Sequence, residues 1–212
     1  GVWDEVASDH GNCMGRACPT YKDCFYYRAR RRVQNAQILI VNHALFFTDL
    51  ALRRQGASIL PDYQAVVFDE AHNLEAVAGD HMGLRVTSGQ VDYILRKLYN
   101  DRRNRGLLVH FKLGEAQREV LDCRNRAEEF FRAVDGWLFR QRGGNGRVRQ
   151  PEIVRNSLSE GLSHLANTVR RDAQQIKEPD QRQDLTAAAD RLTSLAGELT
   201  AWHRQQMEEA VY

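Results

Sequence analysis

Lysine and long apolar runs are both scarce in this sequence. Its 212 residues contain 4 lysines against 26 arginines, and the formal net charge is only +2. A nearly neutral total argues against a dedicated basic nucleic-acid module, so any contact with nucleic acid has to come from a local patch. The longest apolar runs, residues 38–41 and 65–68, are far too short to span a bilayer, and we expect no membrane partner.

The start of the sequence does not have the pattern of a signal peptide either. The chain begins with Gly1, and no basic stretch leads into an apolar one, so nothing near that end is typical of a signal peptide. We therefore expect the sequence to be a piece of a longer protein. What is present, 42% hydrophobic and 27% charged residues, is typical of a globular domain and excludes a collagen-like or wholly disordered chain.

The middle of the chain has the pattern of an α/β domain. Residues 38–41, which are mostly β-branched, and residues 65–68 are short apolar runs typical of buried parallel strands. Helices are predicted between and around them, at residues 21–37, 44–54 and 73–78. We expect residues 1–30, 31–87 and 88–212 to be three distinct regions.

From about residue 88 the pattern becomes helical throughout. Apolar side chains recur every three or four residues in four stretches, separated by breaks that include residues 143–146 and Pro179. Long amphipathic helices bury such stripes against one another, which predicts an antiparallel helical bundle. Residues 147–154 fit either a loop or a short strand pair. The stripes start at Val91, Ala116, Leu158 and Leu185.

The most specific motif is Val-Val-Phe-Asp-Glu-Ala-His at residues 66–72. An apolar strand delivers Asp69 and Glu70 at its carboxyl end, where parallel α/β sheets bind ligands. Asp69 is placed to hold Mg²⁺, usually through water. Glu70 is placed to orient and deprotonate a water molecule that attacks a phosphate. A solvated acidic turn is the alternative, but four apolar residues followed by Asp-Glu-Ala-His favour the functional interpretation.

Three of the four cysteines lie within twelve residues, at Cys13, Cys18 and Cys24. Thiolates are soft ligands that suit iron–sulfur clusters and zinc, and the surrounding glycine, asparagine and charged residues are not typical of a buried core. With so few cysteines in a chain of this length, a disulfide scaffold is disfavoured. The spacing therefore predicts a metal or cluster site in the reducing cytosol.

Together, these motifs resemble the XPD/DinG-type iron–sulfur DNA helicases of superfamily 2. The Cys-x4-Cys-x5-Cys spacing looks closest to bacterial DinG, and motif II is the DEAH box. The resemblance extends over nearly the whole chain, with specific motifs in residues 13–80. It implies the end of an iron–sulfur domain at residues 1–30, part of a RecA-like motor domain at 31–87, and a helical arch at 88–212.

The resemblance also implies roles for individual residues. Asp69 would coordinate Mg²⁺, Glu70 would be the catalytic base for ATP hydrolysis, and His72 would couple the nucleotide state to the motor. Asn42 and His43 match the strand-end Asn-His of the family. Two interpretations of them stay open: support of the acidic pair, or capping of the following helix.

The sequence departs from the family pattern where motifs are missing. It contains no Gly-x-x-x-x-Gly-Lys-Thr phosphate loop and no arginine motifs of a second motor domain, which we expect upstream and downstream. A 4Fe–4S cluster needs a fourth ligand, also expected upstream. Within the chain, His10 and Cys123 are weaker candidates, and Cys123 lies in an apolar stripe typical of a core.

Residues 25–32 alternate aromatic side chains with arginines. Bases stack on aromatic rings and arginines bind phosphates, so Tyr26 and Tyr27 with Arg28, Arg31 and Arg32 are candidate contacts to single-stranded DNA. The alternative is an amphipathic helix with a solvated arginine face, in a lineage whose composition favours arginine. At offsets of three and four residues, the three arginines share one helix face.

The sequence as a whole predicts a fragment of an ATP-dependent helicase. As the family does, the parent would translocate 5′ to 3′ on single-stranded or forked DNA in the bacterial cytoplasm, at the nucleoid. The arch would contact replication or DNA repair proteins. The alternative is a zinc-bearing nucleic-acid-binding module with a helical protein-interaction domain and no ATPase activity.

Overall fold

The computed structural model describes residues 11, 13–54, 56–141, 145–207 and 212. These residues form two compact units. Residues 15–85 make up one, here called the DEAH unit. The described residues of 1–14 and 86–212 make up the other, here called the helical unit. Regular secondary structure in both units is helical, and the described part of the chain contains no strand beyond an isolated antiparallel bridge between Asn100 and Arg105.

Eight α-helices follow one another along the described residues. The DEAH unit holds α1 (Phe25–Val33), α2 (His43–Arg54) and α3 (Leu74–Met82), together with 3-10 turns at Gly15–Ala17 and Ala71–Asn73. The helical unit holds α4 (Ser88–Leu98), α5 (Leu107–His110), α6 (Gly114–Arg140), α7 (Leu158–Ala173) and α8 (Pro179–His203). None of these helices is long and apolar enough to cross a membrane, as far as the described residues show.

The predicted antiparallel bundle is confirmed in the helical unit. Arg171 pairs with Glu115 at 3.0 Å, whereas Arg126, further along α6, donates to the Ser157 carbonyl at 3.2 Å, so α6 and α7 run in opposite directions. The stripes of α4, α6, α7 and α8 merge into one continuous core. Its fully buried members include Val91, Leu95, Leu98, Val120, Leu158, Leu162, Leu165, Val169, Leu185 and Leu192.

Local sequence sets where these helices begin. Thr87 accepts from the Gln90 N–H at 3.1 Å while the Gln90 side chain accepts from the Thr87 N–H at 2.7 Å, which is a complete capping box for α4. Pro179, expected as an interruption, is the first residue of α8, where its missing N–H costs nothing.

The DEAH unit has a much smaller core. Among its described residues, the buried ones are Phe46, Phe47 and Asp49 of α2 and Leu60 of the loop that follows. Helix α2 packs against α3, and no residue of α1 is buried. Helix α2 matches the predicted helix at residues 44–54, and α3 with its preceding 3-10 turn extends the one expected at 73–78.

The two predicted strands are not formed. Residues 38–41 and 65–68 have no regular secondary structure, and Ile40 and Val67 are 97% and 96% exposed. A strand is stable only when its backbone groups pair with a neighbour, and neither segment bonds to the other or to any other described segment. The α/β character of this region is therefore not confirmed, and the described chain is mainly helical.

Two smaller predictions are corrected by the structure, and others concern residues that it does not describe. The helix expected at residues 21–37 covers only Phe25–Val33, because Cys24 has extended backbone and residues 19–23 form turns. Residues 147–154 form a loop, not a strand pair. Residues 143 and 144 of the glycine-rich break lie outside the described residues, and so does His10.

Candidate functional site

The acidic pair of the DEAH motif lies on an exposed, tightly turned segment. Glu70 has the left-handed backbone φ 47°, ψ 47°, and its carbonyl accepts from the Asn73 N–H at 3.0 Å to start the 3-10 turn. Left-handed backbone is uncommon for a residue other than glycine, although Asn104, Lys112, Glu152 and Gln205 also have positive φ in this chain. The Glu70 N–H donates to Asp69 Oδ1 at 2.9 Å. The turn thus points two carboxylates of neighbouring residues into solvent.

His72 completes this local constellation. Its Nδ1 lies 3.3 Å from Glu70 Oε2, and both side chains are more than half exposed. The structure therefore brings Asp69, Glu70 and His72 together within one turn, as the motif predicts. Their catalytic roles stay predictions.

An aromatic cluster holds this turn against α2. The Phe68 ring lies 5.1 Å from Phe46 and 6.5 Å from Phe47, edge-on to the first and stacked on the second. The His43 ring lies 6.0 Å from Phe68. Since Phe68 directly precedes Asp69, this packing fixes the acidic pair relative to the start of α2.

The structure distinguishes Asn42 from His43. Asn42 Oδ1 accepts from the Leu45 N–H at 2.8 Å, so Asn42 caps α2, one of the two interpretations considered for it. His43 makes its ring contact with Phe68 next to the acidic pair. Neither arrangement tests the role that the family resemblance implies for these residues.

A buried carboxylate that the sequence pattern does not indicate organises the loop before the motif. Asp49 is fully buried, and its Oδ1 accepts from the N–H groups of Ile59 and Leu60 at 2.6 and 2.8 Å. Arg53 donates to Asp49 Oδ2 at 2.6 Å and to the Leu60 and Pro61 carbonyls at 2.8 Å. The available signal was an aspartate and an arginine four residues apart in an otherwise apolar helix.

The charge state of Asp49 follows from these contacts. Burial by itself raises the pKa of Asp49, but the hydrogen bonds from Arg53, Leu60 and Ile59 outweigh it and hold the pKa below its ordinary value. Asp49 is therefore ionised at neutral pH and fixes the loop at residues 59–62 to α2.

The four cysteines differ in their surroundings, and none of them forms a disulfide. Cys13 is exposed, while Cys18 and Cys24 are half-buried, and the hydrogen bond with Thr20 lowers the pKa of Cys18. Cys123 is buried in the bundle, which raises its pKa to about 12. Cys123 is thus a core residue, in line with the interpretation of its apolar stripe.

The chain has side chains that could bind a metal ion, but they do not form an assembled site in the described residues. Within the part of the chain that the structure describes, no three His, Cys, Asp or Glu residues gather around a point that suits a metal ion. The exposed Asp69 carboxylate still fits Mg²⁺, which proteins often hold by one or two carboxylates together with substrate phosphates. The reduced thiols of Cys13, Cys18 and Cys24 fit an iron–sulfur cluster in donor type only.

The arginines of α1 do share a face, as their spacing predicts. Arg28, Arg31 and Arg32 line a shallow groove of about 330 Å³ together with Asn35. Arg30 points elsewhere, donating to the Ser58 carbonyl at 3.3 Å. Three guanidinium groups make the groove positively charged, which suits a phosphate.

The two candidate stacking residues differ in exposure. Tyr26 is 56% exposed, whereas Tyr27 is half-buried with its ring centre 4.5 Å from that of Tyr21. Tyr26 therefore exposes more of its ring, although the Arg30 guanidinium lies 5.8 Å over the ring centre. Tyr27 contacts Tyr26 at 5.2 Å between ring centres.

Comparison with known proteins agrees with the motif-bearing region. Residues 13–91 match the DEAD_2 family. The ATP-dependent DNA helicase YoaA of Escherichia coli K12 is 38% identical over 91 residues, which is 42% of this chain and 14% of that protein. YoaA of Haemophilus influenzae is 36% identical over 88 residues, covering 41% of this chain and 14% of that protein. The ATP-dependent DNA helicase DinG of E. coli K12 is 33% identical over 81 residues, covering 37% and 11%.

These matches limit the resemblance as well as support it. The aligned segment spans about one seventh or less of the relatives' length. The expectation that the likeness extends over nearly the whole chain is not confirmed, because the family match ends at residue 91. No solved structure matches the chain significantly. Over residues 13–91, this chain is therefore similar to the DEAD_2 family and to the ATP-dependent DNA helicases YoaA and DinG.

Proposed function

We propose that the chain is part of an ATP-dependent DNA helicase that couples hydrolysis of Mg·ATP to 5′-to-3′ movement on single-stranded DNA and to duplex unwinding. The observation that carries this proposal is the turn at Asp69 and Glu70. A left-handed glutamate follows an aspartate in the DEAD_2-matching segment, and packing of Phe68 on α2 holds both. Backbone strain of this kind persists only where the surroundings enforce it, and at this turn the packing of Phe68 on α2 supplies that support.

The roles within the turn follow from chemistry. Mg²⁺ when bound neutralises charge on the nucleotide phosphates, and the Asp69 carboxylate is the group in this chain that would hold it. Glu70 accepts a proton from the attacking water, and His72, 3.3 Å from Glu70 Oε2, responds to that change of charge. The printed sequence has no phosphate-binding loop, so we expect no ATP hydrolysis by these residues alone.

Glu70→Gln tests this assignment in the full-length parent protein. Loss of the general base should lower the turnover of ATP by about 10²–10⁴-fold. Binding of a fluorescent ATP analogue should stay nearly unchanged, since the amide keeps the shape of the side chain. Glu75→Gln, the same change on the exposed first turn of α3, is the matched control and should keep normal turnover. Near-normal ATPase in Glu70→Gln would refute the assignment.

The exposed apolar segments support a RecA-like α/β domain in the parent. Ile38, Ile40 and Val67 are each at least 84% exposed, although they belong to the most apolar runs of the sequence. Short apolar segments of this kind are typical of strands that lie between two paired neighbours and under covering helices. We propose that residues 38–41 and 65–68 become adjacent parts of such a sheet, with Asp69 at its carboxyl edge.

Cys13, Cys18 and Cys24 are the proposed ligands of a 4Fe–4S cluster in residues 1–30, with a fourth ligand upstream. What supports this is their spacing, their reduced state and the family match that begins at Cys13. Replacing each by serine in the full-length protein should lower its iron content and its absorbance near 400 nm. Cys123→Ser is the matched control and should change neither, because Cys123 is a core residue.

The result also separates the cluster from zinc. Stoichiometric zinc in a colourless protein would contradict the iron–sulfur proposal and favour a zinc-bearing module. Bleaching by Cys123→Ser without bleaching by Cys13→Ser would show that the ligands are wrongly assigned.

DNA is the proposed partner of the groove on α1. Arg28, Arg31 and Arg32 would hold the backbone of a single strand and Tyr26, supported by Tyr27, would stack on a base. Asn42 and His43 would support the acidic pair from the start of α2. We assign residues 88–212 to an arch that contacts forked DNA and replication or repair proteins in the cytoplasm, at the nucleoid.

A further inference from the structure

The loop between α4 and α5 is a closed hairpin with a fixed backbone. The Asn100 N–H donates to the Arg105 carbonyl at 2.7 Å, and the Arg105 N–H donates to the Asn100 carbonyl at 3.2 Å. Inside this bridge, the Arg103 N–H donates to Asn100 Oδ1 at 3.2 Å, and the Asn104 N–H donates to the Asp101 carbonyl at 3.3 Å. The six residues 100–105, here called the arginine hairpin, are thus held by their own hydrogen bonds.

The arginine hairpin is also anchored to the bundle. Gly106 has φ 131°, and a Cβ at this position would lie 2.4 Å from the Leu98 carbonyl oxygen, so only glycine lets the chain turn this closely. Arg124 of α6 donates to Asp101 Oδ1 at 2.5 Å and also to the Tyr99 carbonyl. Both ends of the hairpin are therefore fixed to neighbouring helices.

Its charge is strongly one-sided. Arg102, Arg103 and Arg105 are all exposed, and none of them takes part in the ion pairs of the described residues. The hydrogen bond from Arg124 lowers the pKa of Asp101, the one acid of the hairpin, so Asp101 stays ionised and its charge is balanced by Arg124. Other arginines of the helical unit, such as Arg96, Arg126 and Arg170, are paired with carboxylates.

We propose that the arginine hairpin is a binding site for the phosphodiester backbone of DNA. A guanidinium presents a planar set of donors that fits phosphate oxygens, and a fixed loop loses little conformational entropy when it binds. The hairpin carries no aromatic residue at its tip, so its contacts are to phosphates and are independent of base sequence. The choice of DNA among polyanions rests on the proposed function. The site lies beyond residue 91, outside the family match.

The test uses the 212-residue chain and a fluorescein-labelled 20-nucleotide single strand, with binding followed by anisotropy at several salt concentrations. In the variant R102Q/R103Q/R105Q, the log–log dependence of affinity on salt should flatten by about 2, since each phosphate contact contributes about 0.7 for single strands. Over a tenfold range of salt that change corresponds to a loss of affinity of up to about 100-fold. A labelled duplex forms the second arm.

Two further variants control for charge and folding. R118Q/R140Q/R149Q removes three exposed arginines elsewhere in the helical unit and should change the slope far less. R102K/R103K/R105K keeps the charge and should restore most of the slope. Far-UV circular dichroism should be the same in all variants, because these side chains lie in solvent.

The outcomes separate this inference from the proposed function. A flattened slope in the hairpin variant alone, or together with R28Q/R31Q/R32Q, supports the inference. Loss only in R28Q/R31Q/R32Q overturns it and leaves the proposed DNA partner standing. A chain that binds neither single strand nor duplex overturns both. If the hairpin variant binds DNA normally but no longer binds poly-glutamate, the hairpin recognises an acidic protein and the inference is wrong.

Discussion

The two units of this chain bury their apolar residues in opposite ways. In the helical unit, stripes from four helices meet in one continuous core, and most of its leucines are inaccessible. Among the described residues of the DEAH unit, burial is confined to Phe46, Phe47, Asp49 and Leu60, while the most apolar segments, residues 38–41 and 65–68, are largely exposed. Both units have ordinary amphipathic sequences. The difference between them lies in whether the apolar segments find partners within this chain.

This contrast follows from the physics of helices and sheets. A helix satisfies its own backbone, so four amphipathic helices complete a core as soon as their stripes meet. A strand satisfies its backbone only through neighbouring strands, and its two faces need separate covering layers. The helical unit therefore has the core of an independent domain, whereas the DEAH unit keeps only the local contacts that hold its acidic turn.

Leu162→Ala should give the largest effect on this contrast. Leu162 of α7 is fully buried in the bundle core, and truncating such a leucine removes packing and leaves a cavity. We expect the free energy of unfolding of the helical unit to fall by about 3 kcal/mol. Trp137 and Trp202 lie in this unit, so tryptophan fluorescence in a urea titration follows its unfolding.

Leu138→Ala on α6 is the matched control, because Leu138 is 47% exposed. Its effect should stay within about 0.5 kcal/mol. If the two substitutions cost the same, the bundle core would not be the main source of stability that the structure indicates.

The same contrast decides how much of the fold was predictable. Three- and four-residue spacing predicted α4, α6, α7 and α8 correctly, because helical periodicity and burial coincide there. The apolar runs at 38–41 and 65–68 were predicted as buried strands, but composition carries no information on whether a pairing partner is within the chain. The predicted start of α1 was wrong for a local reason, because the turns before Cys24 delay the start of the helix.

The candidate site was predictable where a motif is contiguous. Asp69, Glu70 and His72 lie in one turn, so their sequence order already places them together. The shared face of Arg28, Arg31 and Arg32 followed from helical offsets. The Asp49–Arg53 network was missed because its partners are backbone groups of Ile59 and Leu60, which have no signature in the sequence.

Asp49→Asn should have a smaller effect, confined to the DEAH unit. The amide loses the negative charge that Arg53 and two backbone N–H groups bind, and it places an N–H₂ group where only an acceptor fits. We expect the loop at residues 59–62 to open more easily by about 2 kcal/mol. Hydrogen exchange of the Ile59 and Leu60 amides measures this directly, as a rise in exchange rate of about 30-fold.

The pH dependence sharpens the same prediction. Because the pKa of Asp49 is lower in the folded unit than in the unfolded chain, its contribution is complete above the ordinary aspartate pKa and is lost as pH falls through the lowered value. Protection of these two amides should therefore decline below about pH 4. In Asp49→Asn that decline should be absent, since no carboxylate titrates there.

Asp62→Asn removes an exposed carboxylate that also binds Arg53, and its amide protection should stay close to that of the parent chain. A parent chain whose Ile59 and Leu60 exchange rates, corrected for the intrinsic effect of pH, are flat between pH 2 and 6 would show that the buried ion pair does not hold this loop.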